Sequence, residues 1–108
     1  MPNSPLTHKW WLEIRPDAKQ AFDRLRSGEK SAVFHSLETL LQSENPAYVQ
    51  GIDIVELKSR KGVFRLKVGD HRVFYGFDNR EVTMYGHVFK GIITITDVTR
   101  RTEDTYRP

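Results

Sequence analysis

The chain has 108 residues, enough for one modest hydrophobic core and too few for two, so a single domain over residues 1–108 is expected. Hydrophobic residues make up 38% and charged residues 29%, a globular balance that argues against disorder, and no apolar run reaches the ~18–20 residues of a bilayer span. Net charge is +3 and cysteine is absent, which excludes disulfides, cysteine nucleophiles and thiolate metal sites.

The opening MPNSPLTHK has no apolar signal-peptide core, so with the lack of cysteine a reducing cytoplasm is the expected compartment. Trp10-Trp11-Leu12-Glu13-Ile14-Arg15 then alternates as a strand does, with Trp10, Leu12 and Ile14 on one face. Pro16 ends that strand and suits the first turn of a helix. Ala18, Ala21, Phe22 and Leu25 follow at helical spacing, and Ser27-Gly28 reads as a break. A second helix carries Val33, Leu37, Leu40 and Leu41 on one side and stops before Asn45-Pro46. The two stretches together predict a helical hairpin.

From Ile52 onward the pattern is that of strands. Phe64, Leu66 and Val68 alternate with Val63, Arg65 and Lys67. His71–Phe77, Val82–Val88 and Ile92–Val98 are rich in β-branched and aromatic residues, with turn signals at Gly69-Asp70, Asp78-Asn79 and Lys90-Gly91. The closing TRRTEDTYRP is polar. This order predicts an α+β fold: an N-terminal strand, a helical hairpin, then an antiparallel sheet of about four strands with the helices packed on one face.

Charge is unevenly distributed. Residues 1–53 hold six Lys/Arg against seven Asp/Glu, whereas residues 54–108 hold eleven against seven. Between Lys58 and Arg72 lie six basic residues (Lys58, Arg60, Lys61, Arg65, Lys67, Arg72) and one acid, Asp70. Such a concentration attracts polyanions, although a solvated face would show it too.

A two-residue Gly69-Asp70 loop of the Gly-X kind favours a type II′ turn and fixes the register. Phe64, Leu66, Val73 and Tyr75 then form a core side, while Arg65, Lys67, Arg72 and Phe74 share the other, with Lys67 directly opposite Arg72. Like charges facing one another across a strand pair destabilise it by a few tenths to ~1 kcal/mol. Selection for folding alone favours Glu or Thr at one of those positions. The juxtaposition therefore points to a bound polyanion such as a nucleic-acid backbone, and Phe74 among the cations could stack a base.

With VFRLKVGDHRVFY followed some way on by RRTEDTY, the sequence resembles the RelE/ParE superfamily of bacterial toxins, over roughly residues 10–106. The resemblance implies a RelE-like fold and, through the toxins that carry a basic cluster and a C-terminal tyrosine, cleavage of messenger RNA on the ribosome. Arg65 and Lys67 match the basic pair of the first hairpin strand, here as Arg-x-Lys. Arg72 matches the arginine of the second strand, and Arg100 with Tyr106 matches the C-terminal pair. The neighbouring Lys58, Arg60, Lys61, Phe74 and Arg101 become candidate RNA contacts. Strand phase alone does not say whether Arg100 or Arg101 faces the site. The segment MYGHVFKGIITITDV, longer than the family usually needs, accommodates either an extra hairpin arm or longer strands.

Implied chemistry is metal-free and cofactor-free. A base removes the ribose 2′-OH proton, cations stabilise the phosphorane, and the leaving 5′-oxygen is neutralised, giving a 2′,3′-cyclic phosphate and a 5′-OH. Lys67 is the candidate base, with the like charges of Arg65 and Arg72 beside it as the means of making a lysine basic at useful pH. Arg65 and Arg72 would clamp phosphate, Arg100 would stabilise leaving-group charge, and Tyr106 would stack on a base or orient the 2′-OH. The four histidines have no metal-ligand spacing. The expected partners are mRNA, the ribosome and a cognate antitoxin protein that covers the basic face. The alternatives are a ParE-like poison of DNA gyrase, which binds without cutting RNA, and a plain nucleic-acid-binding or inactive member.

Overall fold

The computed structural model describes residues 7–100. Its elements are β1 (Trp10–Ile14), α1 (Pro16–Asp23), α2 (Ser27–Gln42), β2 (Ile54–Glu56), β3 (Phe64–Val68), β4 (His71–Asp78), β5 (Val82–Met84), β6 (His87–Phe89) and β7 (Gly91–Arg100). Five strands form one sheet in the order β1-β7-β4-β3-β2, and β5 and β6 form a separate two-stranded arm. Both helices pack on one face of the large sheet, so the α+β layering is as the sequence predicts.

Three details differ from the sequence reading. The sheet has five strands rather than about four and is mixed, because β1 lies parallel to β7 while the other neighbours are antiparallel. A pairing between the first and last strands is closed by no turn, so it leaves no local signature. Ser27-Gly28 opens α2 instead of separating the helices, and the break falls at Arg24–Arg26. Glu29 makes this start workable, its carboxylate accepting the Arg26 backbone N–H at 2.9 Å. Finally, Val82–Val88 is not one strand but part of a hairpin turning at Tyr85-Gly86, both at positive φ (52° and 77°). Two successive positive φ values make a type I′ turn, which usually takes Asn-Gly; a tyrosine in the first position hides it from a sequence reading.

The core forms between the helices and the inner face of the sheet. Val33, Leu37, Leu40 and Leu41 of α2 meet Leu66, Val73, Tyr75, Ile93 and Ile95, all essentially inaccessible to solvent. Trp10 is fully buried and its indole Nε1–H donates to the Ser43 carbonyl at 2.8 Å, pinning β1 to the C-terminal end of α2. Its neighbour across the strand is Gly91, where a Cβ would stand 2.1 Å from the Asp78 carbonyl oxygen and 2.5 Å from the indole ring. Only glycine fits there.

Tyr75, fully buried, donates its phenolic proton to the buried Pro46 carbonyl, so the loop after α2 is fastened to the central strand. Burial pushes this phenol well above the ordinary tyrosine range. Tyr75→Phe leaves the Pro46 carbonyl without its donor and is expected to cost about 1–3 kcal/mol in urea unfolding. The neutral phenol contributes fully below the unfolded value near ~10 and its contribution fades as pH climbs beyond it. Wild-type stability should therefore fall more steeply above pH ~10 than that of Tyr75→Phe; parallel profiles would contradict the assignment.

Candidate nucleic-acid interface

The β3–β4 hairpin adopts the predicted register, pairing Phe64 with Tyr75, Arg65 with Phe74, Leu66 with Val73, Lys67 with Arg72 and Val68 with His71. Gly69 takes φ +57°, and Asp70 does not share the positive φ, in keeping with a type II′ turn. Phe64, Leu66, Val73 and Tyr75 are buried under the helices. Arg65, Lys67, Arg72 and Phe74 consequently lie on the outer face, away from the helices.

Lys67 and Arg72 stand close. The Lys67 backbone N–H donates sideways to the Asp53 carbonyl at 3.0 Å, so it points away from β4 and the Lys67–Arg72 pair is of the non-hydrogen-bonded kind. Such pairs bring their side chains nearest, with Cα atoms about 4.5 Å apart. The two cations then diverge in role. Lys67 is exposed and has no ion-pair partner among the described residues. Arg72 is 1% exposed, with Nη1 donating to the carbonyls of Gly69 (3.2 Å) and His71 (3.0 Å). Its guanidinium is thus folded back on the turn that positions it.

Arg65 is half-buried and forms an ion pair with Asp53 at 3.3 Å, while its Nε is buried without a hydrogen-bond partner. Asp53 offsets part of its charge, but the pair is partly exposed and so of modest strength. Phe74, half-buried, lies between Arg65 on β3 and Asp97 on β7.

The remaining sequence candidates separate. Lys58, Arg60 and Lys61 are exposed on the loop joining β2 to β3, which is closed by the Gly62 N–H donating to the Glu56 carboxylate at 2.9 Å. That loop is at the far end of β3 from Lys67, about 17 Å away at strand spacing. Arg101 and Tyr106 lie outside the described residues.

Arg100 is placed by an irregularity. Phe74 pairs with Asp97 but Tyr75 pairs with Ile95, leaving Thr96 as an extra residue, a β-bulge in β7. Thr96 Oγ1 donates to the Phe74 carbonyl at 3.2 Å and holds the bulge. Before it, Ile93 and Ile95 face the core; after it, Val98 does. The phase is reversed, so Thr99 joins Arg72 on the outer face while Arg100 pairs with His71 and turns to the helix side. There it lines a recess of about 400 Å³ with Arg24, Arg26, Glu29 and His71. The Arg26 backbone N–H first, and the charges of His71, Arg26 and Arg100 besides, hold the Glu29 carboxyl below the usual carboxylate range. Thr99 is an outer-face residue the sequence reading passed over, and Asp97 lies on the same face; the spacing Ile93, Ile95, Val98, two residues and then three, is the signal that locates them.

No protein-family model matches the sequence, and no curated protein matches it either. Solved structures do match in fold. The RelE–RelB complex of the archaeon Pyrococcus horikoshii superposes with a TM-score of 0.67 at 16% identity, covering 88% of this chain and 98% of that one. The YoeB dimer of Staphylococcus aureus gives 0.64 at 14% identity, covering 87% and 99%. The intact RelBE toxin–antitoxin complex of E. coli gives 0.52 at 15% identity, covering 87% and 98%. The fold is that of the RelE-type toxins.

Removing the like-charge contact should reveal its cost. Lys67→Glu, which sets an acid opposite Arg72, is expected to raise stability by a few tenths to ~1 kcal/mol in urea unfolding, and the gain should shrink in ~1 M salt. A loss of stability at low salt would show that the two cations do not repel in the folded chain.

Proposed function

We propose that this chain is the toxin of a type II toxin–antitoxin pair, an endoribonuclease that cleaves messenger RNA on the ribosome without a metal. One observation carries the reading: Lys67, exposed and without an ion-pair partner among the described residues, faces the buried Arg72 on the outer side of the hairpin, with Arg65 two residues away along β3. A repulsive contact at that position has a use if a phosphodiester relieves it. The RelE-type fold supports the same reading, since its solved members include toxins held in complex with antitoxins.

In this scheme the neutral amine of Lys67 takes the 2′-OH proton, the 2′-oxygen bonds to phosphorus as the P–O5′ bond breaks, and the leaving 5′-oxygen takes a proton from water. Lys67 is the member of the trio whose side-chain nitrogen no described protein group holds, so it can approach a ribose. Arg65 binds a phosphate oxygen from the β2 side. Arg72 shapes the turn and supplies positive potential from beneath, its Nη1 already engaged with two carbonyls. Arg65 and Arg72 together stabilise the charge that grows on the phosphorane. Phe74 offers a ring beside the scissile group. The sequence candidate Tyr106 retains its proposed role on the base. The antitoxin covers this face and excludes RNA from it.

Purified protein added to ribosomes translating a defined message should yield cuts at fixed codon positions, mapped by primer extension, with 2′,3′-cyclic phosphate ends. Lys67→Ala is expected to lower the cleavage rate about 10²–10⁴-fold without changing the unfolding curve by more than ~1 kcal/mol. RNA left intact by the wild type, or growth arrest that persists in Lys67→Ala together with broken DNA, would replace this reading with that of a gyrase poison.

A further inference from the structure

The bulge at Thr96 brings Arg100, at the end of β7, to the helix side, where Arg24 at the end of α1 and Arg26 just before α2 are also exposed. The three arginines come from three elements and line one recess of about 400 Å³ whose floor includes His71 and Val98. None of the three has an ion-pair partner among the described residues. Glu29, the single carboxylate among the described lining residues, already accepts the Arg26 N–H and stands 3.8 Å from the His71 imidazole. Three arginines around a recess, outnumbering the one described carboxylate among them, are a binding arrangement for anions.

Its position says which anion. Arg72 pairs with Thr99 and His71 pairs with Arg100, in adjacent rows at the same end of the sheet. Thr99 and Arg100 are consecutive, so their Cα atoms are about 3.8 Å apart, yet they face opposite sides. The Lys67–Arg72 pair and the arginine recess are therefore two sides of one edge. A compact anion would occupy one of them. A flexible polyanion can engage both.

We propose that Arg24, Arg26 and Arg100 form a second phosphate-binding site, which receives the backbone of a single-stranded RNA after it crosses the end of the sheet from the Lys67–Arg72 face. The assignment rests on the outer face binding RNA, as proposed above. It makes Arg100 a distal clamp acting on the strand beyond the scissile phosphate, in place of the leaving-group role that the resemblance implies.

The test is binding, kept apart from cleavage by using 2′-O-methyl oligonucleotides, which lack the nucleophile. Fluorescence anisotropy of a trinucleotide and of a twelve-nucleotide strand is read over a salt series for wild type, Arg24→Gln/Arg26→Gln and Lys67→Glu. For single strands each neutralised phosphate contributes about −0.7 to the slope of log K against log salt. The double variant should bind the long strand with a slope shallower by roughly 1.4 and bind the trinucleotide as the wild type does. Lys67→Glu should weaken both strands. Thermal melts of the double variant matching the wild type exclude a folding defect.

An unchanged slope and affinity for the long strand in the double variant, with Lys67→Glu still defective, overturns the second site and leaves the outer face standing. Equal losses on short and long strands overturn it too. So does a defect of the double variant confined to an acidic polypeptide such as polyglutamate, which would make the recess a protein-docking site. Length-dependent binding with no cleavage on ribosomes supports the second site and removes the nuclease reading instead.

Discussion

The register of the β3–β4 hairpin is the constraint on which the rest depends. Side chains alternate with a period of two, so a slip of one residue would send Arg65, Lys67 and Arg72 into the core and bring Phe64, Leu66, Val73 and Tyr75 out to water. Burying the Lys67 ammonium without a partner costs several kcal/mol, far more than the repulsion between neighbouring cations across a strand pair. The register is thus set by the core residues and the Gly69 turn, and the charged face is a consequence. Arg72 reinforces it by holding the turn carbonyls with the same guanidinium that supplies charge. Structure and electrostatics share one side chain.

A second constraint acts through β7. Pairing with β4 on one side and β1 on the other, it could in principle run regularly to its end. One bulge divides it into two phases. The first half gives Ile93 and Ile95 to the core, and the second gives Val98 to the core, Thr99 to the outer face and Arg100 to the helices. Were the Tyr75–Ile95 register to continue without the bulge, Asp97 would replace Val98 under the helices and Arg100 would turn to the outer face. Burial of a valine in place of a carboxylate decides between these by several kcal/mol. The distribution of arginines over the two sides of the sheet follows from where an aliphatic residue is needed.

Much of this was legible in the chain. The alternation from Phe64 to Tyr75 around a Gly-Asp loop gives strands, turn and faces together, because a tight hairpin leaves only one register. The stripe Val33, Leu37, Leu40, Leu41 gives a buried helix face for the same local reason. What was not legible depends on distant or unusual partners. The parallel pairing of β1 with β7 joins residues some 80 apart and is fastened by Trp10 against Gly91, a contact with no counterpart in local pattern. Ser27-Gly28 resembles a helix break until Glu29 is seen to reach back to Arg26. The Tyr85-Gly86 turn is concealed because a tyrosine at φ 52° occupies a place where asparagine is usual.

That arm shows how an unfavourable turn is tolerated. A bulky side chain in the left-handed region costs of order 1 kcal/mol or more. Here the ring of Tyr85 lies 5.8 Å from that of Trp11, and Phe89 packs on the same indole at 5.5 Å. Contacts of this kind contribute about 0.5–1.5 kcal/mol each beyond the area they bury. The arm thereby covers Trp11, the outward-facing member of the Trp10-Trp11 pair, whose inward partner anchors β1 to α2. Local strain in the turn is offset by a contact between segments 74 residues apart in sequence, at the end of the sheet opposite the cations. The outer face is accordingly asymmetric: closed over by aromatic rings where β1 and the arm meet, and open and positively charged around Lys67. Positive charge stands at both ends of β3, at Lys67 and on the loop carrying Lys58, Arg60 and Lys61, so a polyanion approaching that face is drawn to the β3 side of the sheet rather than to the aromatic rings over Trp11.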